Sequence, residues 1–361
     1  MICFINRSTV DYDVRLQKYV QSCIDTNTDY IVISWDRTKQ CSKVYPNEYQ
    51  YKVNCPYGTG RKNKLAMIGW AFYVIYHLLF KINRYKVIHA CNVENAMLAY
   101  PFKLFGKKVI FDVYDSVNIR LERFLIRKLD KLILPHSRRF EQIGCEMELM
   151  NKMFIVENVP QLRIPVDEKD SVEFPNTIHL SYVGVMQKKI RGLENLLELV
   201  KSNEQFILNI AGVGDGFDEI LLRASAECNR IKYYGKVQYS DALKIMKNSD
   251  FIVALYYTCA KTHKYASPNK YYESLYLGKP LITSKDTLVG SRVVGDNTGY
   301  VVGDSLKDLE ELFSDVSSIS FANDYIKKKN NCNSLWKKDY DNYYADVIVK
   351  GYHDVINDMI K

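Results

Sequence analysis

Residues 266–284, ASPNKYYESLYLGKPLITS, concentrate chemically useful side chains. Ser267 reads as a helix N-cap and Pro268 as the first helical position. Gly278 suits the left-handed residue that ends such a helix, and Pro280 follows it. A short helix with a defined start offers unpaired N–H groups and positive partial charge to a phosphate. Lys270 adds a full charge there, and Glu273, one turn further in, is placed to take both hydroxyls of a ribose. Taken alone, the same pattern describes a well-capped surface helix. A second segment, YVGVMQKKIRGLENLL at 182–197, runs from a strand through Lys188, Lys189 and Arg191 into another helix, a further arrangement suited to a diphosphate. A third, LNIAGVGDGFDEI, ends a strand in Gly212, Gly214 and Gly216. Its G-x-G-x-G spacing departs from the dinucleotide fingerprint G-x-G-x-x-G. KYYGKVQYSDALKIMKNSDFIVAL then gives one more strand, loop and helix.

These segments need a scaffold that holds loops at strand ends. The chain has 361 residues, enough for two domains. Short β-branched runs at 2–5, 30–34, 87–89, 108–113, 131–134 and 154–156 alternate with helical patterns. A second series at 179–183, 206–211, 231–234, 251–255, 280–283 and 300–302 does the same. Alternation of this kind predicts parallel sheets with helices on both faces. The fold class is α/β. Residues 158–178, NVPQLRIPVDEKDSVEFPNTI, read as a linker because they hold three prolines and a cluster of acids. The expected organisation is a domain at 1–160, a second at 161–334, and a helical segment at 335–361. Two doubly wound sheets on either side of a linker imply a cleft, with ligands at the carboxyl ends of strands.

Composition narrows the function classes. Nine scattered cysteines form no C-x-x-C pair, and six histidines form no H-E-x-x-H, so neither a zinc site nor a disulfide framework is indicated. The start, MICFINRSTVDYD, lacks the basic-then-apolar pattern of a signal peptide, which points to a cytoplasmic protein. Residues 1–160 hold 24 Lys and Arg against 15 Asp and Glu, a net +9, whereas the remainder holds 26 against 27. The basic half is compatible with a membrane surface, a phosphorylated substrate or simply a solvated face. No motif supports nucleic-acid binding. The apolar run 65–80, LAMIGWAFYVIYHLLF, falls short of the roughly 20 residues that span a bilayer. It fits a core helix or a helix resting on a membrane surface.

The four C-terminal segments resemble, in order and in detail, the C-terminal domain of family 4 glycosyltransferases: strand-Gly and basic loop, "AGxG", "GxV" before a helix, and "SPNKxxE…GKP". In the first half, YDVR at 12–15, ISWDR at 33–37, VIHACNVEN at 87–95 and VIFDVYD at 109–115 are similar to that family's stretches. Residues 336–344 resemble its C-terminal helix, which crosses back onto the first domain, so the resemblance covers nearly the whole chain. It implies a GT-B fold of two Rossmann-like domains facing a central cleft. It further implies retention of anomeric configuration, no cofactor or catalytic metal, and a UDP- or GDP-sugar donor. Carried over by motif, Glu273 and Arg191 are the catalytic pair. Lys189, Gly212, Val237, Ser267, Pro268, Asn269 and Lys270 complete the donor contacts. Tyr265 stands where the family usually has a first glutamate, and Tyr114 where many members have a sugar-contacting histidine. These two, with His89, form the expected sugar or acceptor side, although His89, at the end of a buried strand, equally fits a satisfied core histidine.

The expected activity is transfer of a sugar, UDP-linked in preference to GDP-linked, to a glycan acceptor. The acceptor expected by family habit is a lipid-diphosphate-linked precursor of a surface polysaccharide, met at the inner face of the membrane. Two alternatives stand beside it. One is an inactive binding subunit of a polysaccharide assembly, suggested by the missing glutamate and histidine. The other is a nucleotide-sugar epimerase on the same fold, which would need no acceptor.

Overall fold

The apolar runs form two all-parallel sheets, each in its own unit. The computed structural model describes residues 1–39, 41, 43–55, 60–114, 116, 120–143, 147–161, 174–214 and 216–361. Most of the expected linker, Cys145, Asp115 and Asp215 lie outside them. One unit comprises Met1–Asn158 with Asn342–Lys361, the other Val159–Asp341.

In the first unit the strands are β1 (Ile2–Asn6), β2 (Tyr30–Asp36), β3 (Glu48–Lys52), β4 (Val87–Cys91), β5 (Lys108–Asp112), β6 (Lys131–Leu134) and β7 (Met153–Ile155), in the order β3-β2-β1-β4-β5-β6-β7. Side chains alternate across a strand, so a strand covered on both faces feeds two cores. Cys3, Ile5, Ile31 and Ile33 enter one core with Trp70, Val74 and Leu78. Ile2, Phe4, Tyr30 and Val32 enter the other, with Leu16 and Tyr19 and with Ile348, Tyr352, Ile356 and Met359 from the C-terminal segment. That segment widens to π-helical turns over Trp336–Tyr340 and Tyr344–Tyr352 before a last α-helix, His353–Ile360.

β3, EYQYK, was not among the expected strands. It is polar at alternate positions and pairs only with β2, at the sheet edge. Its Glu48 is buried and accepts from Ser34 Oγ (2.8 Å), Val10 N (3.1 Å) and Tyr45 N (3.1 Å). Hydrogen bonds to this carboxylate hold one face of the strand, while Tyr49 and Tyr51 on the other pack against the core beside Trp35 and Trp70.

The run at 65–80 belongs to a longer helix, Arg61–Phe80. Ala66, Trp70, Val74 and Leu78, four residues apart, form its buried stripe. Met67 and Tyr73 flank the stripe and pack partly against the same core, while Leu65 70%, Phe72 72% and Phe80 74% are exposed. The core reading therefore holds for one stripe of the helix, and apolar side chains on its other side stay open. Among the described residues no helix is long and apolar enough to cross a membrane.

The second unit has β8 (Ile178–Val183), β9 (Phe206–Ala211), β10 (Ile231–Tyr233), β11 (Phe251–Ala254), β12 (Leu281–Ser284) and β13 (Gly299–Val302), in the order β10-β9-β8-β11-β12-β13. The chain builds outward from β8 to β10, then returns to the other side of β8 to lay down β11. The strand order therefore reverses between β8 and β11, and a crevice opens at their carboxyl ends, where doubly wound sheets bind ligands.

Candidate active site

A cavity of about 230 Å³ occupies that reversal point. It lies beyond Val183 and Ala254, the ends of β8 and β11, and against Pro268, Asn269 and Lys270 at the start of the helix Asn269–Leu277. Arg191 and Tyr256 complete its polar lining.

The helix begins one residue later than its sequence suggests. Pro268 is the N-cap, with extended backbone (φ −77°, ψ 150°), and no side chain caps the helix; Ser267 lies before it. Proline as N-cap supplies no side-chain acceptor, so the first N–H groups are left for water or a ligand. At the other end Gly278 takes the left-handed conformation (φ 62°), as its position predicts.

Arg191 is held at the cavity by two contacts. Its Nε donates to Gln187 Oε1 (3.2 Å), and its guanidinium lies 4.5 Å from the centre of the Tyr256 ring. Tyr256 follows β11, and its backbone N–H donates to Ser284 Oγ (2.9 Å). Burial raises the Tyr256 phenol above its usual range, the nearby Arg191 partly opposing this, so the ring stays neutral. His263 meets the same ring edge-on at 5.5 Å, and burial and Arg191 keep its imidazole below its usual range. Next to Arg191, Gly192 opens the helix Leu193–Ser202 in a left-handed conformation (φ 65°). A Cβ there would collide with Leu255 and Tyr257. Glycine is thus required twice over, by backbone and by space.

Glu273 is fully buried. Its Oε1 accepts from the Tyr239 hydroxyl (2.8 Å) and its Oε2 from Lys270 Nζ (2.5 Å). Tyr239 opens the neighbouring helix, Tyr239–Lys247.

Not every expected residue joins this group. Lys189 is exposed, in a left-handed conformation (φ 64°), and its backbone N–H is bound to Glu194 Oε1 (2.8 Å). Gly212 does not offer its amide to a ligand, because its N–H donates to the Gly235 carbonyl (2.9 Å). A Cβ on Gly212 would strike the Gly184 carbonyl, so this glycine lets the β8 and β9 loops touch. Val237 is half-buried ahead of Tyr239, and Tyr265, also half-buried, ends a 3₁₀ turn, Lys261–Tyr265.

In the first unit the carboxyl ends of β1, β4 and β5 carry a polar cluster. Tyr114, just past β5, donates to Asp13 Oδ1 (3.3 Å), which also caps the helix Val14–Asp25 through Leu16 N (2.9 Å). Burial raises the Asp13 carboxyl above its usual range against three opposing hydrogen-bonding and charge effects. His89 must be corrected as a ligand contact. It is wholly buried, with Nδ1 2.8 Å from the Tyr352 hydroxyl and Nε2 3.3 Å from Asp112 Oδ2. It is a satisfied core histidine. His89, Cys91 and Asp112 lie close enough to hold a metal, but Asp112 is already neutralised by a forked bond from Arg15 (2.8–3.2 Å).

Three site residues carry no signal in the motifs: Tyr239, Tyr256 and Tyr182, the last also lining the cavity. The rule that ligands bind past strand ends would have pointed to Tyr256, two positions beyond β11. Tyr239 becomes visible only once Glu273 is seen to be buried.

Residues 165–331, most of the second unit, match the family described as glycosyl transferases group 1. No curated protein matches the chain by sequence. Among solved structures the chain is similar to HepE of Anabaena in complex with UDP (12% identity, 99% of each chain, TM-score 0.67). It is likewise similar to sucrose-phosphate synthase from Thermosynechococcus elongatus (12% identity, 100% of this chain and 99% of that one, TM-score 0.69). WaaG, a glycosyltransferase involved in lipopolysaccharide biosynthesis, is similar over 99% of each chain (12% identity, TM-score 0.66). The fold is GT-B, and the second unit carries a glycosyltransferase domain.

Proposed function

We propose that the chain is a retaining glycosyltransferase that takes a sugar from a UDP-linked donor and passes it to a glycan acceptor. The observation that carries this reading is the meeting, at the reversal point of the second sheet, of Arg191, Lys270 and a helix start without a side-chain cap. In transfer from a nucleotide sugar the diphosphate departs with growing negative charge. Cations and N–H groups fixed in advance around it stabilise that charge more in the transition state than in the ground state. Glu273, one helical turn inward, is the carboxylate for the ribose. HepE, of the same fold, is seen with UDP, which favours a uridine donor. A panel of UDP- and GDP-sugars tests the assignment by thermal stabilisation. At about 100 times its dissociation constant the true donor raises stability by about 2.7 kcal/mol. A panel in which UDP-sugars and GDP-sugars all leave the melting transition in place would overturn it.

The acceptor in this reading is a lipid-linked glycan, reached by peripheral contact with an anionic membrane. The outward face of the helix Arg61–Phe80 supports this, with exposed Leu65, Ile68, Phe72, Leu79 and Phe80 and, at its start, exposed Arg61, Lys62 and Lys64. Apolar side chains can enter the headgroup region while the basic ones meet lipid phosphate. Each basic residue at the surface adds about 1 kcal/mol, screened by salt. The protein is expected to sediment with anionic liposomes at low salt and to be released at high salt. Phe72→Ser with Phe80→Ser should reduce sedimentation without altering the melting transition. Equal recovery in the supernatant with and without liposomes, at every salt concentration, would rule out membrane contact and leave the donor reading intact.

A further inference from the structure

The assignment of Glu273 to the ribose leaves a physical question, because the carboxylate is already occupied. It is fully buried, and a buried carboxylate without donors is strongly unfavourable. Tyr239 supplies one donor and Lys270 the other, one on each oxygen. The two are held differently. Lys270 sits on the same helix and lines the cavity, with 16% of its side chain exposed. Tyr239 comes from another helix and is 39% exposed, so its ring can swing outward. Burial and the Glu273 charge raise the phenol well above its usual range, so it remains a donor at any working pH.

We propose that the Tyr239 hydroxyl is a built-in stand-in for a ribose hydroxyl, and that nucleotide binding proceeds by exchange of partners on Glu273. The proposal rests on the donor reading above. A ribose diol presents two O–H donors to the same two oxygens that Tyr239 and Lys270 now hold. Its arrival displaces the phenol outward and releases the Lys270 ammonium toward the diphosphate in the adjoining cavity. No buried charge is left alone at any stage: before binding Glu273 and Lys270 satisfy each other, and afterwards the diol and the diphosphate do. On departure of the nucleotide the phenol returns. Tyr239 therefore sets donor affinity, because the site open to ribose is only a fraction of the population, and apparent affinity falls by that fraction.

Calorimetric titration with UDP tests the exchange. Tyr239→Phe keeps the ring and removes the competing hydroxyl, so UDP should bind about three- to tenfold more tightly. The gain should vanish with 2′,3′-dideoxy-UDP, which has no diol to place on the carboxylate. It should vanish also in Glu273→Gln, where no carboxylate remains to contest. Unchanged or weaker UDP binding in Tyr239→Phe overturns the proposal, as does an equal gain with the dideoxy analogue. Glu273→Gln alone separates the two levels. If it binds UDP like the wild type, the ribose role of Glu273 is lost; if it binds weakly while Tyr239→Phe is neutral, only the exchange is lost.

Discussion

Arg191→Ala is expected to lower turnover of the nucleotide-sugar donor by about a hundredfold or more while the melting transition stays close to that of the wild type. The size follows from what one fixed donor to a developing negative charge contributes, about 100- to 1,000-fold in turnover. The small effect on folding follows from position. Arg191 is half-buried at a cavity wall, and what it touches in the protein is Gln187 and the face of Tyr256. Neither contact spans a core. Arg191→Lys should recover activity only in part, because an ammonium can neither fork across two phosphate oxygens nor stack flat on the tyrosine ring. The loss should appear mainly in turnover if the contact strengthens as the diphosphate leaves, and mainly in KM if it is equal in both states. Wild-type turnover in Arg191→Ala would mean that Lys188, Lys189 or Lys270 carries the phosphate charge.

The α/β class could be read from the chain because its strands are buried on both faces. β1, β2 and β4 appear as mostly apolar runs, broken by single polar residues such as Ser34 and His89, and such runs between helical patterns have few other folds open to them. β3 was missed for the same reason in reverse. EYQYK is half polar, and its pairing depends on Glu48 finding Ser34 and two backbone amides, a tertiary fact. The helix at 269–277 was legible at its C-terminal end, where Gly278 has one plausible backbone state. Its start was less so: Ser-Pro reads as cap and first turn, but the proline takes the capping place itself. Gly212 lay in a motif that suggests phosphate contact, yet its lack of a side chain serves loop packing against Gly184. The sequence suggests that a strand ends at His89, where ligands bind, but the strand runs on to Cys91, and Phe4, Tyr19 and, from 263 residues away, Tyr352 enclose the ring. The tyrosines of the second unit are hardest to read, since a chain with 28 of them offers no reason to select Tyr239 or Tyr256 without their neighbours.

Arg15→Met should destabilise the first unit by about 3–5 kcal/mol, the usual cost of leaving one partner of a buried ion pair uncompensated. Asp112 is wholly buried and Arg15 nearly so, and the guanidinium is engaged on every side: with both Asp112 oxygens, with the Val156 carbonyl (2.6 Å) and with Asn158 Oδ1 (2.9 Å). Methionine keeps most of the volume and removes the charge, so the loss measures electrostatics more than packing. If so, adding Asp112→Asn to Arg15→Met should recover stability, because the amide needs no counter-charge and still accepts from Tyr19 and His89. The pH dependence has a definite sign. In the wild type burial raises the Asp112 carboxyl, but Arg15 and the His89 hydrogen bond outweigh it and bring the value down to about 2. The native state then holds fewer protons on this group than the unfolded chain, so the pair's contribution is present above the usual carboxylate range and is lost as pH falls toward about 2. Without Arg15 burial dominates and the native carboxyl lies above its unfolded value. Its penalty then grows as pH rises and shrinks on acidification. Urea unfolding at about pH 7 and about pH 5 should show the larger deficit of Arg15→Met at the higher pH. A deficit that is the same at both, or a double variant weaker than the single, would show that shape and hydrogen bonding, and not the unpaired charge, govern this core.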